Sequence, residues 1–113
     1  MKGIGIDIVE FARIYRVSDR EKFVDKILSK LEKKVYKSLK NEKRQVEYLA
    51  GRFAMKEALY KSNPVACQNK NFVDFSILND ETGAPYLEGV HEKAVKMTLS
   101  HSENYVVAFV IWM

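Results

Sequence analysis

A single cysteine, Cys67, leaves no partner for an intrachain disulfide, and with only two histidines, His91 and His101, the 113-residue chain has no cluster with the spacing of a tetrahedral zinc site. No stretch reaches the roughly 18 apolar residues of a membrane span. The opening Met1-Lys2-Gly3-Ile4-Gly5-Ile6-Asp7 sets a carboxylate where the apolar region of a signal peptide would run. Two prolines, five glycines and no repeat or low-complexity tract give no sign of a flexible linker. These absences predict a reduced, cytoplasmic protein, without membrane association, folding as one domain over residues 1–113. A domain of this size has little interior for a deep private pocket, so a site shared between subunits is expected.

What the chain does have is unevenly placed charge. The net charge is +4, but residues 13–44 hold twelve Lys or Arg against five Asp or Glu, so the remainder is net acidic. A basic segment attracts phosphates, acidic proteins or nucleic acid through its field, and charge alone does not choose among them. RNP-type and KH-type signatures are missing, and the cations fall on helical patterns rather than beside a stacking platform. Both facts argue against an RNA-binding module and for no nucleic-acid partner.

Apolar periodicity orders the rest. Ile4, Ile6 and Ile8 alternate with Gly3, Gly5, Asp7 and Val9 at the period of a strand. The side opposite the isoleucines has almost no bulk before Asp7, so another backbone or a ligand can come close there. Two short helices are expected between Glu10 and about Lys43. One is capped by Asp19 and carries Phe23, Ile27 and Leu28; the other opens on the capping box Ser29-Lys30-Leu31-Glu32 and carries Val35 and Leu39. A long helix from about Glu42 to Lys61 takes Val46, Leu49, Ala50, Phe53, Ala54 and Ala58 as its apolar face and stops at Asn63-Pro64. Residues 72–78 read as a strand, and Asn79-Asp80-Glu81-Thr82-Gly83 as the turn of a hairpin resuming at Pro85-Tyr86-Leu87. Residues 95–101 and 105–112 are two further strands, the second a nearly continuous apolar run suited to a buried position. The order predicts an α+β fold: an antiparallel or mixed sheet with one long helix and several short helices packed on it.

Two constellations can carry chemistry. In the long helix, Gly51-Arg52-Phe53-Ala54-Met55-Lys56-Glu57-Ala58-Leu59-Tyr60-Lys61 puts Glu57 and Lys61 one turn apart on one face, which in isolation is an ordinary Glu–Lys pair. Thr98-Leu99-Ser100-His101-Ser102 ends a strand with hydroxyls flanking an imidazole, a common place for binding groups. No nucleophile, base and acid line up there as a hydrolase triad. Asp7 and Glu57 as oxygen ligands, several cations for phosphate oxygens and His101 as a hydrogen-bonding group suit a pyrophosphate-bearing substrate. Magnesium takes one or two protein carboxylates and completes its octahedron with water and substrate phosphate.

Gly3-Ile4-Gly5-Ile6-Asp7-Ile8-Val9-Glu10, together with the helix motif from Gly51 to Lys61, resembles the holo-acyl-carrier-protein synthases, the small bacterial 4′-phosphopantetheinyl transferases. The likeness continues through Leu78-Asn79-Asp80-Glu81-Thr82-Gly83-Ala84-Pro85-Tyr86-Leu87 and Leu99-Ser100-His101-Ser102, in the family's order over nearly the whole chain. It implies a homotrimer with coenzyme A lying between neighbouring subunits. It also implies transfer of the 4′-phosphopantetheine group to a serine of apo acyl carrier protein in fatty acid biosynthesis, by attack of the serine hydroxyl on the β-phosphorus with release of 3′,5′-ADP. By the same likeness Asp7 and Glu57 are the magnesium ligands, Lys61 the active-site lysine and His101 the histidine on the phosphate side. Arg13 matches a basic residue that meets the acidic recognition helix of the carrier protein. Arg44, Arg52 and Lys56 are candidates for phosphate contacts on coenzyme A, Arg52 foremost because it lies inside the matching motif. Proton removal from the serine falls to Glu57 or to a metal-bound water.

One departure stands out. The family continues after the helix with a glycine-containing loop, whereas Lys61-Ser62-Asn63-Pro64-Val65-Ala66-Cys67-Gln68-Asn69-Lys70 has an early proline and no glycine. With few positive-φ options the segment is expected to follow another path or to be mobile. Cys67 reads as a structural or merely exposed thiol. An inactive relative that only docks to carrier proteins is the rival reading, and retention of Asp7, Glu57, Lys61 and His101 argues against it.

Overall fold

The computed structural model describes residues 2–113. Strand β1 (Gly3–Glu10) leads into three short helices, α1 (Phe11–Tyr15), α2 (Arg20–Ile27) and α3 (Lys30–Ser38), and then the long helix α4 (Glu42–Ser62). A 3-10 turn (Phe72–Asp74) precedes β2 (Ile77–Asn79), β3 (Pro85–Leu87), β4 (Val95–His101) and β5 (Tyr105–Trp112). The fold is α+β, and its strands divide between two antiparallel sheets, β1-β5-β4 and the hairpin β2-β3. Among the described residues no helix is long and apolar enough to cross a membrane.

Local chemistry sets the starts of α2, α3 and α4, whereas α1 is a third short helix where the sequence pattern predicts two. Asp19 accepts the Lys22 N–H at 3.1 Å, and Asn41 accepts the Arg44 N–H at 2.9 Å. Ser29 and Glu32 close a reciprocal capping box. Each cap of this kind contributes about 1 kcal/mol.

Helix α4 runs through the middle of the molecule. The sequence predicts one apolar face, but every residue from Leu49 to Lys56 is buried. The three-stranded sheet covers one side, while α1, α2, α3 and the segment from Phe72 to Ile77 wrap the rest. Leu49 and Leu59 are completely buried, and each such side chain contributes roughly 1.5–3 kcal/mol.

The glycines of β1 set the helix–sheet distance. A Cβ on Gly3 would stand 1.6 Å from the Ser62 carbonyl oxygen, and one on Gly5 would stand 2.0 Å from that of Ala58. Neither contact is sterically possible, so only glycine lets the end of α4 lie this close to the sheet. The bulk-free side of the strand therefore receives another backbone, as its pattern predicted. On the other side, Ile4, Ile6 and Ile8 are 52%, 57% and 60% exposed. Val107, Phe109 and Ile111 stand opposite them on β5, so the single chain leaves an apolar sheet face bare.

The expected strand over residues 72–78 is corrected. Phe72 and Phe75 give their carbonyls to Lys56 Nζ, each at 2.8 Å, and Asp74 accepts the Asn71 N–H at 2.7 Å. With those groups taken, the chain turns once as a 3-10 helix and enters a ladder only at Ile77. The glycine-free segment is shaped by its asparagines. Asn63 accepts the Ala66 N–H on its side chain at 3.1 Å and the Cys67 N–H on its carbonyl at 3.2 Å. Asn69 then takes the φ of +63° that a glycine would otherwise supply. Cys67 is only 3% exposed, and burial pushes its thiol above the usual range, so it is a packing residue.

Candidate active site

Asp7 is the next residue after Gly5 on the face of β1 that meets α4. The glycine-permitted approach brings the last turn of α4 beside it, and Lys61 reaches back across the strand. Its Nζ donates to Asp7 Oδ1 at 2.9 Å and to the Ile6 carbonyl at 3.2 Å. That hydrogen bond, then the charge of Asp7, holds the Lys61 ammonium above the usual lysine range, with Glu57 adding to the effect. Lys61 is therefore a full cation at neutral pH. Its contact occupies Oδ1 and leaves Oδ2 without a protein donor among the described residues. The Asp7 side chain is 16% exposed, and half-buried Glu57 sits one helical turn before Lys61. Asp7, Glu57 and Lys61 thus form one cluster at the edge of the packed helix–sheet interface. Two carboxylates with a free oxygen suit a hard cation such as magnesium, which keeps water and phosphate for its other positions.

Two of the cations expected near phosphate are drawn inward within the chain. Arg52 is 5% exposed; its Nε donates to the Ile77 carbonyl at 3.1 Å and one terminal nitrogen to Asn79 Oδ1 at 2.9 Å. Its guanidinium also lies 4.4 Å from the Tyr48 ring centroid. Lys56 is wholly buried and paired with Glu32, itself wholly buried. Burial pulls the Lys56 ammonium down from its usual value and the Glu32 carboxylate opposes that pull. Removing either partner alone would leave an uncompensated buried charge, at about 3–5 kcal/mol. Both residues face away from β1 because the short helices and the segment from Phe72 to Ile77 cover that side of α4. The sequence marks Glu32 only as a helix cap; that it also faces Lys56, 24 positions on, has no local signal.

His101, Arg13 and Arg44 are placed apart from the cluster. His101 is exposed at the end of β4, edge-on to Phe11 at 6.3 Å between ring centroids. It lies on the same sheet face as Asp7, but two strands across and two residues along, a separation of roughly 12 Å in one chain. Arg13 is exposed on α1 with its guanidinium 5.0 Å from the Phe53 ring centroid. It shares a shallow hollow with Ile8, Val9, Glu10 and Arg16 at the end of β1. Arg44 is exposed in the first turn of α4, about 20 Å along the helix from Glu57.

One groove went unnoticed in the sequence. Between α2 and the segment leading to the 3-10 turn lies an open space of about 500 Å³, lined by Asp25, Lys26, Tyr60, Lys70, Asn71 and Phe72 among others. Tyr60 and Phe72 stack edge-to-face at 4.9 Å on its wall, and the Tyr60 hydroxyl donates to the Lys70 carbonyl at 2.6 Å. Tyr60 is one helical turn from Glu57.

Residues 3–110 match the family model of the 4′-phosphopantetheinyl transferase superfamily. The chain is 44% identical over 110 residues to the holo-[acyl-carrier-protein] synthase of Acholeplasma laidlawii (strain PG-8A), covering 96% of this chain and 92% of that protein. It is 43% identical over 112 residues to that of Geobacillus sp. (strain WCH70), covering 96% and 93%. The crystal structure of a holo-(acyl-carrier-protein) synthase from Bacillus anthracis str. Ames, in complex with CoA (3′,5′-ADP), is similar with a TM-score of 0.81 at 38% identity, over 98% of this chain and 95% of that one. The Helicobacter pylori holo-[acyl-carrier-protein] synthase in complex with coenzyme A is similar with a TM-score of 0.75 at 29% identity, over 97% and 99%. Likeness of this degree in both sequence and fold, over nearly the full length of each partner, means that the chain belongs to the holo-acyl-carrier-protein synthases of the 4′-phosphopantetheinyl transferase superfamily.

Proposed function

We propose that this protein transfers the 4′-phosphopantetheine group of coenzyme A to a serine of apo acyl carrier protein, giving holo carrier protein and 3′,5′-ADP, with Asp7 and Glu57 holding a magnesium ion. The observation that carries the reading is the contact of Lys61 with Asp7 beside Glu57. It puts two oxygen donors and a permanent cation at one exposed edge, the complement of a pyrophosphate. Magnesium bound there would neutralise charge on the pyrophosphate oxygens.

The chain's own groups divide the remaining work. The serine oxygen forms a bond to the β-phosphorus while the bond to the bridging oxygen breaks, and negative charge collects on departing 3′,5′-ADP. Lys61, held in place by Asp7 and the Ile6 carbonyl, offers its ammonium to that charge without having to reorganise. Glu57 is the nearby carboxylate with which a serine proton can be exchanged.

The site is shared between subunits of a homotrimer. In support, Ile4, Ile6 and Ile8 leave an apolar sheet face bare, the kind of surface a second subunit covers. His101, exposed and out of reach of Asp7 within one chain, then meets the phosphates from the neighbouring subunit's side, and exposed Arg44 is open to the same substrate. Arg13, with the basic helices behind it, receives an acidic helix of the carrier protein. A free buried thiol is in keeping with a cytoplasmic location.

The test is intact-mass analysis of apo acyl carrier protein incubated with this protein, coenzyme A and magnesium, beside a chelator control. A chelator-sensitive gain of one phosphopantetheine supports the reading. No gain with folded protein and a competent carrier removes it.

A further inference from the structure

Lys56 directly precedes Glu57, yet one helical step turns it to the side of α4 that faces away from β1. Its ammonium meets four acceptors: the Ile27 carbonyl at 2.7 Å, the Phe72 and Phe75 carbonyls at 2.8 Å each, and Glu32 Oε1. Glu32 Oε2 in turn accepts the Ile77 N–H at 2.8 Å, while Arg52, one turn earlier on α4, donates to the Ile77 carbonyl. Ile77 is therefore held at both of its backbone groups. Two buried charges and Arg52 fix the whole stretch from Phe72 to Ile77, which joins the glycine-free loop to the hairpin β2-β3.

Stability alone does not call for charges here. A buried ion pair replaced by packed apolar residues is often neutral or stabilising. What an apolar pair cannot supply is direction, since five backbone groups, those of Ile27, Ser29, Phe72, Phe75 and Ile77, converge on the pair with fixed geometry. The stretch it holds carries Phe72, a wall of the 500 Å³ groove that also contains Tyr60, one turn from Glu57. A groove of this volume is in the range that holds a small-molecule substrate.

We propose that Lys56 and Glu32 are positioning residues: their buried pair holds residues 72–77 against α4 and so sets the affinity of the site for coenzyme A. This rests on the transfer reading above. The pair touches no reacting atom, and its effect falls on substrate binding rather than on the chemical step.

The test uses the full-length protein, first confirmed to bind coenzyme A by calorimetry. The near-isosteric Glu32→Gln keeps one oxygen for Lys56 but turns an amide NH₂ toward the Ile77 N–H. The expected result is a Kd and KM for coenzyme A raised about tenfold, the factor of one charge-assisted hydrogen bond, with kcat nearly unchanged. Faster amide hydrogen exchange at Ile77 should accompany it. A second variant, Lys56→Met with Glu32→Leu, removes both charges and refills the space. It should show the same weakened binding even where its melting temperature equals that of the wild type. Unchanged affinity for coenzyme A in either folded variant overturns the inference, and so does a loss of kcat at unchanged affinity. Wild-type protein that binds no coenzyme A removes the transfer reading itself, and this inference with it.

Discussion

Gly5 and Ala58 pack so closely across the helix–sheet interface that a methyl group on the glycine would stand 2.0 Å from the Ala58 carbonyl oxygen. Gly5→Ala must push α4 off the sheet, a strain of about 3 kcal/mol, and it moves Lys61 away from Asp7. Gly51 is the control, because its nearest neighbour is the flexible end of Leu99 at 3.5 Å. Gly51→Ala should stabilise by about 0.5–1 kcal/mol through helix propensity. Thermal melts of the two variants decide the matter, and a Gly5→Ala protein as stable as wild type would sink the packing argument.

Asp7→Asn and Glu57→Gln should each lower transfer at least about a hundredfold while leaving the melting temperature within a few degrees of wild type. The residual rate should need more magnesium in both cases. Lys61→Met should lower kcat on a similar scale without changing the magnesium requirement. Single-turnover rates against magnesium concentration separate these outcomes.

Ile6→Lys puts a charge at the centre of the bare isoleucine face. The substituted protein should sediment as a monomer and lose transfer, while its far-ultraviolet circular dichroism stays that of the folded chain. Full activity from a sedimenting monomer would rule out a site shared between subunits.

Asp80 anchors the turn between β2 and β3, accepting the Thr82 hydroxyl at 2.6 Å, the Thr82 N–H at 2.9 Å and the Ala84 N–H at 3.0 Å. The Thr82 hydroxyl, then the Ala84 N–H, holds its carboxyl below the usual carboxylate value. A carboxyl depressed by folding contributes stability that is complete above its unfolded pKa of about 4 and is lost as pH falls through its folded value. The melting-temperature gap between wild type and Asp80→Ala should therefore be constant from neutral pH down to about pH 4 and close below it. A gap that widens on acidification would contradict the assignment.

How much of this was legible in the sequence follows how local each cause is. The caps at Asp19 and Ser29, the strand alternation at Ile4, Ile6 and Ile8, and the extent of α4 depend on residues within a few positions, and all three stand. Residues 72–76 carry enough aromatic and β-branched side chains to read as a strand. Lys56, 16 positions earlier than Phe72, takes the carbonyls that a ladder would have needed. The inward turn of Arg52 and Lys56 has the same kind of cause, since their acceptors lie at the end of α2, on α3, around the 3-10 turn and on β2. Asp7 and Lys61 come together because two glycines permit it, a close approach that the strand pattern suggested but could not aim at a particular helix turn.

Strand β1 has one neighbour in its sheet, and that neighbour is β5, which begins nearly a hundred residues later; even the Lys2 N–H pairs with the Trp112 carbonyl at 2.7 Å. Contacts of such long sequence separation close late and slow the folding of a chain. On the ribosome, the helices can collapse around α4 while the strand that carries Asp7 waits unpaired. The strand that carries Asp7 is thus seated only once β5 is there to pair with it, so the contact of Asp7 with Lys61 is among the last that folding makes.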